Sequence, residues 1–188
     1  MKNLQYLENT FRHRQAFRFT VEKLITDEVV KAHMLERARF HDLDKAVLYT
    51  LMDKKEASHY HKLHSPHHMG SDNISITSKS YYDIMEAMID YECGGYTKAD
   101  KPLNAYDWLH SAEWMPGDIK AKLELMLIGY QINYSYRNTP DDPDWVEYKK
   151  NLPEPTEELI MSEIYDYLIH TPDNVLTQKD LDLKYNFN

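Results

Sequence analysis

Apolar residues recur at three- or four-residue steps over most of this chain, the spacing that puts side chains on one face of an α-helix. Leu4, Leu7, Phe11, Phe17, Val21, Leu24 and Ile25 mark a first helix over Leu4–Ile25. Val29–Arg39 reads as a second, with Asp27 placed to cap it. Asp44 is placed to cap a short helix through Leu51, and Lys54–Leu63 forms the next. Ser65-Pro66 has the form of a cap followed by proline at the first helical position, so His67 and His68 are expected in a new first turn. Gly70-Ser71-Asp72-Asn73 breaks that turn, Ser78 caps Lys79–Glu92, and Gly94-Gly95 stops it. Asn104–Trp114 and Asp118–Tyr136 follow, the latter with Ile119, Leu123, Met126, Leu127, Tyr130 and Tyr134 on one broad face. A loop rich in Pro and Asp, Thr139–Pro155, precedes a last helix, Glu157–Ile169, and the tail Thr171–Asn188 carries weak signals. The pattern predicts one all-α domain over residues 1–138, with 139–188 supplying a linker, a final helix and a tail packed on the same body.

Composition narrows the classes. A chain of 188 residues with 42% apolar positions suits one well-buried domain, and five glycines are few for a turn-rich β or α/β protein. Fifteen tyrosines suggest half-buried helix faces or polar pockets, because the ring packs while the hydroxyl stays wet. The formal charge of −9, from 31 acidic and 22 basic residues, argues against general binding of duplex nucleic acid, which needs a basic surface. A small phosphorylated substrate remains compatible, since bound dications reverse the local field. Cys93 is the single cysteine, so no internal disulfide forms, as expected in a reducing compartment. The N-terminus lacks the apolar core of a secretion signal, and no apolar stretch approaches the roughly 20 residues needed to span a bilayer. The expectation is a cytoplasmic protein with no membrane partner.

The chemistry lies in an ordered set of histidines and carboxylates: His13, His41-Asp42, His64, His67-His68 and Asp90. Imidazole nitrogen with carboxylate oxygen suits a borderline divalent cation such as Mn, Fe or Zn. His13 falls in mid-helix, His41 and Asp42 at a helix–loop junction, and Asp90 late in another helix, so separate elements can converge on one ion. Asp83, Glu86 and Asp90 share a stripe, with Ile84, Met85, Met88 and Ile89 as apolar cover. Facing inward, that stripe is costly unless it meets cations; facing water, it is an ordinary solvated face. His33 competes with His13, but its helix leads straight into His41 and leaves less reach. His59 and His61 are expected at the surface or behind the ligands, and His110 and Trp114 as packing or pocket wall. Nothing near Cys93 is evidently placed to activate it as a nucleophile. Phosphate-loop, dinucleotide and His-Glu-x-x-His motifs are absent, and a closed structural zinc site would normally recruit several thiolates.

The segments His41-Asp42-Leu43-Asp44-Lys45, Ser65-Pro66-His67-His68 and Glu86-Ala87-Met88-Ile89-Asp90 together resemble the HD-domain superfamily of metal-dependent phosphohydrolases. The resemblance covers about half the chain and implies a helical bundle of that type with a C-terminal helical appendage. Its His-Asp-x-x-Lys form is similar to that of bimetallic phosphodiesterase branches, where the lysine lies near the substrate phosphate. Within the superfamily the chain most resembles a small uncharacterised family of bacteria and their phages. Members usually carry Ser before the lysine and Asn-Pro-His-His downstream; here Asp44 and Ser65 stand instead. The resemblance implies that His13, His41, Asp42 and Asp90 hold one ion. Asp42 would bridge to a second ion held by His64 and by His67 or His68. The cofactor would be one or two divalent ions: Mn, Fe, Co, Ni or Zn, with Mg admissible. Lys45 would neutralise phosphate charge, Glu86 would orient a ligand or a water, and metal-activated water would hydrolyse a nucleotide or similar small phosphoester. Two other readings stay open: a non-catalytic metal-containing helical protein that binds a nucleotide signal or a protein partner, and oxygen-dependent oxidation at two irons. Methionine and tyrosine on several helices are compatible with a homodimer.

Overall fold

The computed structural model describes residues 4–69, 79–100 and 103–170. Among them lie nine helices and no strand: α1 Leu4–Leu24, α2 Glu28–Phe40, α3 Leu43–Leu51, α4 Lys54–His64, α5 Tyr81–Thr97, α6 Ala105–Ser111, α7 Gly117–Gly129, α8 Pro143–Lys149 and α9 Glu157–His170. The all-α expectation holds. No helix among the described residues is long and apolar enough to cross a membrane.

Helix α1 is the axis of the bundle and packs against α2, α3, α5, α8 and α9. Its Leu7 and Phe11 join one apolar cluster with α3, α4 and α9. Its Ala16, Phe17, Phe19 and Val21 join a second, larger one with α2, α5, α6, α7 and Trp145 of α8. His13 and Arg14 are buried on the stretch of helix where these clusters meet. Arg14 donates to Glu163 of α9 and to the carbonyl of Arg39 near the end of α2, tying both helices to α1. The polar centre therefore sits at a waist between two dry regions.

Several boundaries differ from the sequence expectation, each for a local reason. Asp27 caps α2 as expected, accepting from the amides of Val29 and Val30. Asp42, not Asp44, occupies the cap position of α3, and the Asp44 side chain is buried. Ser65 ends α4 and begins a turn instead of a helix, so His67 and His68 lie in that turn. Helix α5 starts at Tyr81 behind a reciprocal cap between Ser80 and Asp83. The expected Ser78 cap, the Gly70–Asn73 break and the tail Thr171–Asn188 lie outside the described residues. Helix α7 ends at Gly129 because Gln131 takes a left-handed conformation (φ 58°) and the Ile132 amide bonds back to the Leu127 carbonyl. The segment expected as a loop contains α8, where Asp142 caps, Pro143 opens the first turn and Trp145 is buried.

Gly94-Gly95 does not stop α5, which runs on to Thr97. Gly95 serves a close approach instead: a Cβ there would lie 2.2 Å from the Asn138 carbonyl oxygen and 2.7 Å from that of Leu103. Glu92, one turn earlier and buried, holds the same crossing. Its carboxylate accepts from the Ala105 amide at 2.8 Å, the Tyr136 hydroxyl at 3.0 Å and the Asn138 amide group at 2.7 Å. Burial pushes the Glu92 carboxyl above its ordinary range despite these donors. Gly95→Ala is expected to destabilise the fold by about 2 kcal/mol or more, as an overpacking change against rigid backbone. Gly94→Ala, which meets nothing within 4 Å, is expected to be neutral or stabilising by up to about 1 kcal/mol. Denaturant unfolding of the two variants beside the wild type checks the pair.

Candidate metal centre

The α2–α3 junction places the central residues. Helix α2 ends at Phe40, the His41 amide still bonds to the Arg37 carbonyl, and the chain reverses at Asp42 with φ 61° and ψ 6°. Aspartate tolerates this left-handed conformation better than most residues, at a cost of roughly 1 kcal/mol or more. The turn aims the His41 and Asp42 side chains into the same interior, where both are buried. Phe17 stacks on His41 with ring centroids 4.1 Å apart and fixes its plane.

Asp42 divides its two oxygens. Oδ2 faces Lys45 Nζ at 2.5 Å and His13 Nε2 at 3.6 Å. Oδ1 faces His61 Nε2 at 3.0 Å and His67 Nε2 at 3.5 Å. Asp90 reaches from α5 with Oδ1 2.8 Å from His13 Nε2 and 3.6 Å from His41 Nε2. His68 Nε2 lies 2.8 Å from His61 Nε2. Two ligand groups share Asp42, His13–His41–Asp42 and Asp42–His61–His67–His68, while His41–His67–Asp90 and His13–Asp90–Cys93 interlock with them. Within each group the donor atoms lie within 4.8 Å of one another, so an ion with bonds of about 2.0–2.2 Å would have to draw the widest pairs slightly inward.

The far sides of the rings are held. His41 Nδ1 and His67 Nδ1 both meet Glu86 Oε1, at 2.9 and 3.2 Å. His61 Nδ1 meets Asp44 Oδ2 at 2.7 Å. A carboxylate on Nδ1 fixes the tautomer and leaves Nε2 as a lone-pair donor, the arrangement typical of metal-binding histidine. The near sides fit the same reading: His41 Nε2, His67 Nε2 and Asp42 Oδ1 are buried without a hydrogen-bond partner. Buried polar atoms so placed are costly unless a cation satisfies them.

Protons and carboxylates share the charge in the metal-free cluster. Burial works against ionisation of Asp42, but Lys45, His41 and His61 hold its carboxyl well below the usual range. Asp90 and Glu86 are likewise depressed, against burial, by His13 and His41 and by His67 and His41 respectively. Burial also opposes charge on His67, yet Glu86 and Asp42 push it up to about 10. His68 goes the other way, its charged form disfavoured by burial and by His67 and His61.

His13, His41, Asp42, His67, His68 and Asp90 thus come together, with Lys45 and Glu86 in contact with them. His64 does not: it is exposed, its Nδ1 bonds to the Tyr60 carbonyl, and its ring stacks on Tyr60. His61, expected at the surface or behind the ligands, is fully buried and takes the place expected for His64. Helical spacing from buried Ala57 points to both histidines, at i+4 and i+7; Asp44, the departure beside Lys45, is the signal that selects His61. Asp83, Glu86 and Asp90 do face inward, and Arg37 meets the first two. His33 lies apart, its ring against Tyr82 at 3.9 Å. Cys93 is buried with its thiol pushed up by burial and by Asp90, so it is no activated nucleophile.

These features define an all-helical protein with a buried histidine–aspartate cluster able to hold metal ions. The chain matches no family model, no curated protein and no solved structure.

An ion held by His67 would have to displace its proton, so affinity is expected to rise with pH from 6 to 8, with about one proton or more released per chain at pH 7. In the metal-free fold the sign is opposite. The raised His67 value stabilises fully below 6.5, and that contribution fades as pH climbs through about 10. Calorimetric titration in buffers of different ionisation enthalpy checks the proton release. Separately, His61→Ala is expected to weaken metal binding by 10-fold or more while His64→Ala leaves it unchanged.

Proposed function

We propose that this protein is a metal-dependent phosphohydrolase of the HD type, acting on a nucleotide or similar small phosphoester. The observation that carries the reading is Asp42, whose two oxygens face two different groups of imidazoles while Lys45 lies 2.5 Å from one of them. A divalent ion held by His13, His41, Asp42 and Asp90, with a second held by Asp42, His61, His67 and His68, would supply Lewis acidity toward phosphoryl oxygen and toward water.

The chain's own residues fit the rest of the task. His41 and His61 side chains are 0% exposed, whereas Lys45 and Asp90 reach 18% and 16%, so a substrate meets the cluster from their side. Lys45 stays charged: burial opposes it, but Asp42 and Asp90 raise its value. Its ammonium can move from Asp42 to a phosphoryl oxygen without leaving the cluster, neutralising charge as the bond to the leaving group breaks. Glu86 keeps His41 and His67 in register behind the ligands, and Asp44 does the same for His61.

The test is hydrolysis of a panel of nucleoside monophosphates, followed as phosphate release, and of cyclic nucleotides, followed as conversion to the monophosphate, with Mn, Fe, Co, Ni, Zn and Mg. Turnover by the wild type, abolished by chelator, is expected. At saturating metal, Lys45→Ala is expected to lower kcat by about 100-fold, the scale for losing one charge-stabilising donor. Metal-loaded protein that binds a nucleotide and hydrolyses none of the panel with any ion would contradict the proposal.

A further inference from the structure

A cavity of about 320 Å³ opens between the middle of α1, the end of α5 and the stretch from α8 to Glu154. That volume falls in the range of pockets that hold small molecules. No residue of the histidine–aspartate cluster lines it, so the chemistry above leaves it unused. Its lining is divided. Phe11, Trp145 and Leu152 supply an apolar wall, with Phe11 and Trp145 rooted in the two buried clusters of the bundle. Arg12, Lys98 and Lys149 bring three cations to the same space, against the single carboxylate of Glu154.

The cations are loosely committed. Arg12 Nη2 stands 3.9 Å from Glu154 Oε2 with both side chains more than half exposed, a pair worth little in water. Lys149 Nζ meets the Pro140 carbonyl at 3.4 Å and lies 5.5 Å from the centre of the Trp145 ring. Lys98 is exposed just past the end of α5. Such a concentration of positive charge runs against a chain whose formal charge is −9. A second cation-lined cavity, around Arg14 and Arg39, differs in that Glu163 and Asp166 line it too and pair with those two guanidiniums.

We propose that the cavity beside Arg12 binds a small organic phosphate, its anionic group among Arg12, Lys98 and Lys149 and its ring against Phe11, Trp145 and Leu152. Three cations against one carboxylate leave an excess of two positive charges, which matches the charge of about −2 on a phosphate monoester at neutral pH. A simple carboxylate would neutralise half of that excess. Inorganic phosphate would meet the cations and leave the apolar wall wet, so a ring adds affinity through the area it covers. Arg12 offers a planar fork of donors and the lysines offer compact charges on flexible stems, a combination suited to phosphate. The site needs no metal, so it stands or falls independently of the hydrolase reading.

Calorimetric titration of the full-length protein in EDTA at low salt, with phenyl phosphate, AMP and inorganic phosphate, tests this. At least one of the two organic phosphates is expected to bind once per chain with Kd below about 1 mM, and inorganic phosphate about 10-fold more weakly. Arg12→Gln and Lys98→Gln, both at exposed positions that the fold does not depend on, are each expected to weaken that binding by about 10-fold. Lys45→Ala, which removes the lysine of the cluster, is expected to leave it unchanged. Absence of binding by both organic phosphates overturns the proposal, as does equal binding by the wild type and the two glutamine variants. Binding lost in Lys45→Ala and kept in Arg12→Gln would place the ligand at the cluster instead. Inorganic phosphate binding as tightly as its phenyl ester would reduce the cavity to a site for bare anions and overturn the assignment of an organic ligand.

Discussion

Excess negative charge in a closed space is the constraint on which the rest of this structure depends. Asp42, Asp44 and Glu86 are buried and Asp90 is nearly so, and each comes within 3.0 Å of a histidine of the cluster: His61 for Asp42 and Asp44, His41 for Glu86 and His13 for Asp90. Among the described residues, the permanent cations that touch these four carboxylates are Lys45 and Arg37. Four negative groups against two positive ones, out of water, demand further positive charge. Protons on histidine supply part of it in the metal-free chain. Divalent ions would supply it better, because buried atoms of His41, His67 and Asp42 lack hydrogen-bond partners and belong to groups able to hold an ion.

The bundle is arranged to tolerate that centre. Two apolar clusters flank it along α1, and the helices carrying its residues are pinned by contacts that do not involve it. Arg14 ties α9 and the end of α2 to α1, while Glu92 and Gly95 tie the segments around Leu103 and Asn138 to α5. The elements are thus held before the site is satisfied. Of the two described residues with left-handed backbone, Asp42 and Gln131, Asp42 is the one where local preference yields to the geometry of the cluster.

Helical periodicity and the order of the histidines made the fold class and most of the cluster readable from the residues alone. His13, His41, Asp42 and Asp90 lie on strongly patterned helices or at their ends, where spacing fixes direction. The choice between His61 and His64 was not readable from spacing, since both share a face with Ala57. It depends on α4 ending at His64, where the chain turns away, and on Asp44 coming from α3 to meet His61. Gly94-Gly95 misled for a related reason: a glycine pair reads as a stop, but its use is decided by the backbone that crosses it. Asp142-Pro143 carried a cap signal for α8 that the surrounding prolines and aspartates masked.

The most direct test of the central claim is metal content of purified wild type beside Asp42→Ala, by elemental mass spectrometry after reconstitution with divalent transition metals. Two ions per chain in the wild type, with loss of both in the variant, is the result expected when one carboxylate bridges both positions. Folded wild type that stays metal-free, or Asp42→Ala that keeps full occupancy, would contradict the account.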